Sequence, residues 1–177
     1  MGKTRKPPEE PTAPIGRRVL ASLIDFGVIV AWLLVLTGVG FLIRPLLPPA
    51  GEANLPLTDV LAFVMTVLPV WCYLTFTEAS ARAGTLGKQR IGLRVRSVQQ
   101  PLPFRAAAIR NAIKLLPWQL AHMAVSRFIL EQEFTIAVTA NVASLALAVM
   151  LVMTAFGDPQ RRGLHDLLAG TRVVAAA

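Results

Sequence analysis

The sequence predicts an all-α membrane protein: a four-helix transmembrane bundle with a short, hairpin-like pair of cytoplasmic strands and an interfacial helix. Three observations predict it. The chain of 177 residues is 54% hydrophobic and only 16% charged, against about 25% charged in water-soluble domains. Its apolar residues gather in runs of about 20, the length that carries a helix across bilayer hydrocarbon. Its Lys and Arg residues fall between these runs, concentrated in alternate connections. Together these features exclude a disordered chain, a secreted disulfide scaffold and a conventional soluble enzyme. A net charge of +8 would suit a nucleic-acid binder if the basic residues formed one solvent-facing patch. Here they alternate with apolar spans, so no nucleic-acid partner is expected. Cys72, the single cysteine, lies inside an apolar run, which leaves no intrachain disulfide and no CxxC metal pair.

Residues 1–15 hold Pro7, Pro8, Pro11 and Pro14 among charged side chains. Such a stretch buries too little apolar surface to offset its ordering entropy, and it reads as a flexible cytoplasmic tail. The spans follow at about 17–43, 57–76, 109–130 and 136–156. The first is too long for a signal-peptide core and lacks a small-residue cleavage pattern after it. The third is the weakest, with Arg110 and Lys114 in its first turns and Pro117 near its middle. Between the second and third spans, Gly84 and Gly87 mark turns, and IGLRVRSV alternates apolar and basic residues, the strand signature. TRVVA near the C-terminus repeats that texture, so the two segments are expected to pair. HDLLAG suits a short interfacial helix. One transmembrane domain therefore covers 16–174, and 175–177 form the C-terminal end. No internal repeat marks a large inverted-repeat transporter.

Charge sets the orientation. Lys3, Arg5, Lys6, Arg17 and Arg18 precede or open the first span. Arg82, Lys88, Arg90, Arg94, Arg96, Arg105, Arg110 and Lys114 lie between the second and third or open the third. Arg161, Arg162 and Arg172 follow the fourth. Four spans place these sixteen of the eighteen basic residues on one side and leave Arg44 and Arg127 on the other. Both termini are thus expected in the cytoplasm, with the protein multi-pass in the cytoplasmic membrane. The basic face would meet anionic lipids of the bilayer, each exposed Lys or Arg adding about 1 kcal/mol near the surface.

Asp25 needs an explanation, because a carboxylate within LASLIDFGVIV is costly unless it faces the bundle interior, a partner or water. It lies about 10 Å along the helix from Arg18 at 1.5 Å per residue, on one stripe with Ser22. It reads either as a cation or proton site or as an interhelical pin that fixes packing. Arg110 can pair inward or snorkel, whereas Lys114 reads as snorkelling to the interface. His122 reads as a polar group between helices. Thr139, Asn141 and Ser144 are expected to bond across helices, and Asp59 and Glu78 to be interfacial. Pro69 and Pro117 can free backbone carbonyls that neighbouring groups re-satisfy. GTLGKQRIG lacks the spacing of a phosphate loop, and His165 with Asp166 is too small a set for a metal. No catalytic constellation, metal site or cofactor is expected, and the chain reads as a non-enzyme.

Three segments, GRRVLASLIDF, GTLGKQRIGLRV with the downstream arginine of AAIRN, and RRGLHDLLAGTRVV, stand in an order that resembles the RDD family of bacterial membrane proteins. They span residues 16–174. The resemblance maps the family's arginine onto Arg18, its first aspartate onto Asp25 and its second onto Asp166. It singles out Gly84, Thr85, Gly87, Lys88 and Gly92 as the loop motif, with Arg110 and His165 beside the charged set. It implies transport of an unidentified ligand, some members being linked to sodium/proton exchange. Two functions compete. One is a cation or proton exchanger working at Asp25, as a homo-oligomer because four spans leave little room for an aqueous path. The other is a non-transporting accessory subunit of a larger membrane complex. Arg18, Asp25 and Asp166 are expected to converge at the cytoplasmic end.

Overall fold

A computed structural model describes residues 11–46, 54–97 and 101–176. Residues 1–10 of the Pro-rich tail, residues 47–53, residues 98–100 and Ala177 lie outside the described residues. Helix α1 (Ile15–Ile43) starts directly after Pro14 and gives way to a 3-10 turn, Arg44–Leu46. Pro45 cannot extend an α-helix, because it lacks the N–H and its ring clashes with the preceding turn. Helix α2 (Leu55–Ala62) opens at Asn54, whose side chain accepts from the Leu57 N–H at 3.0 Å. It passes through a π-helical turn, Phe63–Val67, into α3 (Leu68–Glu78).

That turn has a local cause. Pro69 has no N–H to give the Met65 carbonyl one turn back. The indole Nε1–H of Trp32, reaching from α1, donates to that oxygen at 3.1 Å. The carbonyl freed by proline thus becomes a contact between the first two spans.

Short helix α4 (Leu86–Arg90) leads into strand β1 (Leu93–Ser97). Helices α5 (Phe104–Ile129) and α6 (Phe134–Gly157) form the most extensive helix pair. Small buried residues let them approach closely: Ala124 on α5, Ala137, Ala140 and Ser144 on α6. Ser144 Oγ donates to the Pro117 carbonyl at 2.7 Å, the interhelical bond expected of it. Thr139 instead donates to Thr135 on its own helix. Helix α7 (Leu164–Ala169) and strand β2 (Thr171–Ala175) complete the chain.

Ile15–Leu46, Leu55–Glu78 and Phe134–Gly157 are long and apolar enough to cross a membrane. Large apolar side chains such as Leu34, Phe41, Leu145 and Phe156 project from them exposed, as lipid-facing residues must. Helix α5 has the length, but Arg105, Arg110, Lys114 and Arg127 lower its apolarity. It packs on α3 and α6, burying Ala107, Arg110, Asn111, Leu115 and Ala124, while Leu116, Val125 and Ile129 are exposed.

Strands β1 and β2 pair antiparallel, Leu93 opposite Ala175 and Ser97 opposite Thr171. The two segments expected to pair do so, although α5, α6 and α7 lie between them in the chain, so the pair is not a hairpin. The end of the tail joins them. Thr12 bridges Val174, Ala13 N–H donates to the Val173 carbonyl at 3.2 Å, and Ala175 N–H donates to Pro11. Ala13 is fully buried against Ala21, Leu93 and Val173, so residues 11–15, expected to belong to the flexible tail, are instead packed on the domain.

Candidate functional site

Three linked features meet at the end of the bundle that carries the strands. The first is Asp25, 4% exposed on α1. Its Oδ1 accepts from the Tyr73 hydroxyl and from the Gly87 N–H, each at 2.9 Å, and its Oδ2 accepts from Thr85 Oγ1 at 2.5 Å. Thr85 is also the N-cap of α4, accepting from the Lys88 N–H. Asp25 therefore fastens α4 to α1, with α3 contributing the tyrosine. Gly87 makes the approach feasible: a Cβ there would lie 2.0 Å from the Ala21 carbonyl oxygen and 3.0 Å from the Asp25 carboxyl carbon.

The second feature is an ion chain through the interior. Glu78, at the end of α3, is fully buried. Lys88 Nζ donates to its Oε1 at 2.8 Å, while Arg110 Nε at 3.1 Å and Asn111 Nδ2 at 3.0 Å donate to its Oε2. Arg110 Nη1 continues to Asp166 Oδ1 and, at 3.1 Å, to Thr171 Oγ1, which itself donates to Asp166. Asp166 also accepts from the Gly163 N–H, closing the first turn of α7. One arginine thus joins α3, α5, α7 and β2.

The third feature is a cavity of about 500 Å³ between α1 and α6, with α4, α5 and α7 at its base. Arg18, Lys88, Arg110, Lys114, His165 and Asp166 line its polar part. Lys88 and Arg110 have carboxylate partners. Arg18 donates only to the carbonyls of Arg161 and Val173, and its buried Nε has no partner. Lys114 makes no hydrogen bond or ion pair to another described residue. Asp25 does not line the cavity. Among the described residues, no three His, Cys, Asp or Glu side chains are grouped to hold a metal ion.

A family model described as the RDD family matches residues 12–170. The chain belongs to the RDD family. No curated protein and no solved structure matches it.

In this RDD chain the charges expected to converge divide between two places. Arg18 and Asp166 face the cavity, whereas Asp25 is held behind it by uncharged donors. The arginine between two carboxylates is Arg110, and its partners are Glu78 and Asp166. Arg110 thus takes the inward alternative, though not toward Asp25. Two readings are corrected. Glu78 is not interfacial, because the cations of α4 and α5 enclose it, and Lys114 turns to the cavity. Asp59 pairs with Arg127 at 3.0 Å at the far end of the bundle. His122 sits between helices, 3.4 Å from Thr66 Oγ1. Of the loop motif, Thr85, Gly87 and Lys88 act directly, while Gly92 adopts φ +67° at the turn into β1 and Gly84 packs against the Leu93 carbonyl.

His165 is held neutral. Burial first, then the positive field of Arg110 and Lys114, lowers its pKa from 6.5 to about 2. Asp166 Oδ2 lies 3.5 Å from its Nε2, but Arg110 already neutralises that carboxylate. A group whose folded pKa is depressed binds fewer protons in the folded state than in the unfolded one. Its contribution is fully present above pH 6.5 and is lost as the pH falls toward 2. Unfolding midpoints in detergent are therefore expected to drop between pH 7 and 5, and His165→Gln should flatten that part of the curve. An unchanged slope in the variant would assign the acid sensitivity elsewhere.

Proposed function

We propose that this chain is a non-enzymatic accessory protein of the membrane that binds an anionic ligand in the cavity between α1 and α6. The carrying observation is that Lys114 and Arg18 face that cavity without a carboxylate partner, while the carboxylates of Asp25, Glu78 and Asp166 are engaged within the chain. An exchanging carboxylate must be reached by its ion, and Asp25 offers three filled hydrogen bonds and no lining position. Asp25 is thus the interhelical pin of the two readings that its sequence position allows.

Exchange keeps one supporting observation: Asp166 and His165, both titratable, line the cavity. The decisive measurement is sodium-driven proton movement in liposomes holding the purified protein. The accessory reading expects wild type and Asp25→Asn to match protein-free vesicles. Sodium-dependent flux that Asp166→Asn abolishes would establish exchange instead.

The same reading makes α5 an additional span, the third of four in chain order, with both termini in the cytoplasm of the cell and the ion chain at the cytoplasmic end. The sixteen-to-two division of basic residues supports it, as does the packing of α5 along α3 and α6. In a Cys72→Ser background, Gln132→Cys should react with an impermeant thiol reagent only from outside the cell. Labelling solely from the cytoplasmic side would overturn this topology.

A further inference from the structure

We infer that the anion held in this cavity is the headgroup of a glycerophospholipid, entering sideways from the bilayer with its acyl chains between α1 and α6. The inference rests on the reading above that the cavity takes an anion, and it adds the ligand's class, its route and its orientation.

Charge sets the size of the negative group. Arg18, Lys88, Arg110 and Lys114 line the cavity together with Asp166, and two further carboxylates, Glu78 and Asp25, stand behind that lining, near enough to act on Lys114. Four cations against three carboxylates leave one positive charge, because His165 is neutral. One phosphodiester carries one negative charge and restores balance, which a low-dielectric site favours. A carboxylate or phosphodiester monoanion thus fits better than a doubly charged phosphate monoester.

The walls set the rest of the molecule. Val19, Leu23 and Phe26 follow one stripe of α1, at helical spacing. Val152, Ala155 and Phe156 face them from α6. Phe26 and Phe156 are each about 60% exposed, at 60% and 62%, although both line the cavity. Both helices are among those apolar enough to cross the membrane. In a bilayer the apolar side of the cleft between them therefore faces acyl chains. A lipid already has its chains there. Its phosphate meets Lys114 and Arg18 at the base of the cleft, where the buried Arg18 Nε has no acceptor within the chain's described residues. Lysine and arginine hydrogen bonds to phosphate are the strong, charge-assisted kind.

Native mass spectrometry of the detergent-solubilised protein tests the assignment with three probes. These are phosphatidylglycerol, phosphatidylcholine of the same acyl chains, and inorganic phosphate. The expected result is one saturable phosphatidylglycerol per chain, bound about tenfold or more tightly than phosphatidylcholine. Lys114→Gln should remove that preference and Lys114→Arg should restore it, which separates loss of the contact from loss of folding. Ala155→Trp, filling the cleft wall, should weaken both lipids while leaving the melting temperature intact. Inorganic phosphate binding that Lys114→Gln abolishes, without preference between the lipids, would overturn the lipid assignment and leave the anion reading standing. No Lys114-dependent binding of either phosphatidylglycerol or inorganic phosphate would overturn both. A phosphatidylglycerol preference unchanged by Lys114→Gln would place the lipid on the outer basic surface and overturn this site.

Discussion

Gly87→Ala is expected to loosen the whole strand-bearing end of the bundle, at a cost of about 3 kcal/mol or more. A methyl group there would stand 2.0 Å from the backbone oxygen of Ala21, well inside any real contact distance. No flexible side chain can move aside, since the obstacle is the backbone of α1. Helix α4 must therefore retreat, and its retreat breaks the Gly87 N–H bond to Asp25 and draws Thr85 away from the same carboxylate. A carboxylate left buried with fewer donors adds its own desolvation cost. Gly27→Ala supplies the control. It lies on the same helix as Asp25, a Cβ there meets nothing within 4 Å, and helix propensity favours alanine by about 0.5–1 kcal/mol. Unfolding of the two variants in detergent should shift in opposite directions. Equal midpoints would show that the α1–α4 contact does not limit stability.

Legibility of the sequence followed the reach of each signal. Hydrophobic length located the three helices long and apolar enough to cross a membrane, because a span must satisfy its backbone internally and so needs one continuous apolar run. Period-two alternation located β1, and a similar texture suggested β2, although their partnership spans α5, α6 and α7. Asp25 was conspicuous because a carboxylate within an apolar run has few acceptable environments. Its partners were not readable in the same way. Tyr73, Thr85 and the Gly87 N–H are ordinary in sequence, and only the approach of α4 to α1 turns them into a carboxylate cradle. Glu78 was misplaced for a related reason. A carboxylate at the end of a span looks interfacial by position, and burial arises only when Lys88, Arg110 and Asn111 close over it from two other elements. The one available signal was the excess of basic residues just downstream, which implied that some cations turn inward. Arg18 was assigned to the wrong neighbours because helical stripes describe one helix, whereas its acceptors are the carbonyls of Arg161 and Val173.

Glu78→Gln should cost about 3–5 kcal/mol, the range for removing one member of a buried ion pair. Glutamine keeps the volume and one acceptor, so the loss reports charge and not a cavity. Lys88 and Arg110 would then remain buried together, with Asp166 the only carboxylate among the described residues directly bonded to either. The cost comes chiefly from that stranded charge, and a second substitution can demonstrate it. Lys88→Met alone leaves Glu78 with Arg110, so it should cost less than Glu78→Gln. In the double variant the excess cation is gone, and the two losses should fall short of additivity by about 0.5–3 kcal/mol. That coupling separates an ion chain from mere packing, in which distant contributions add. Denaturant titration of the wild type, both single variants and the double variant measures it directly. Additive losses would mean that Glu78 and Lys88 act independently, and the chain from α4 through α3 to α5 would then hold the fold by contact alone.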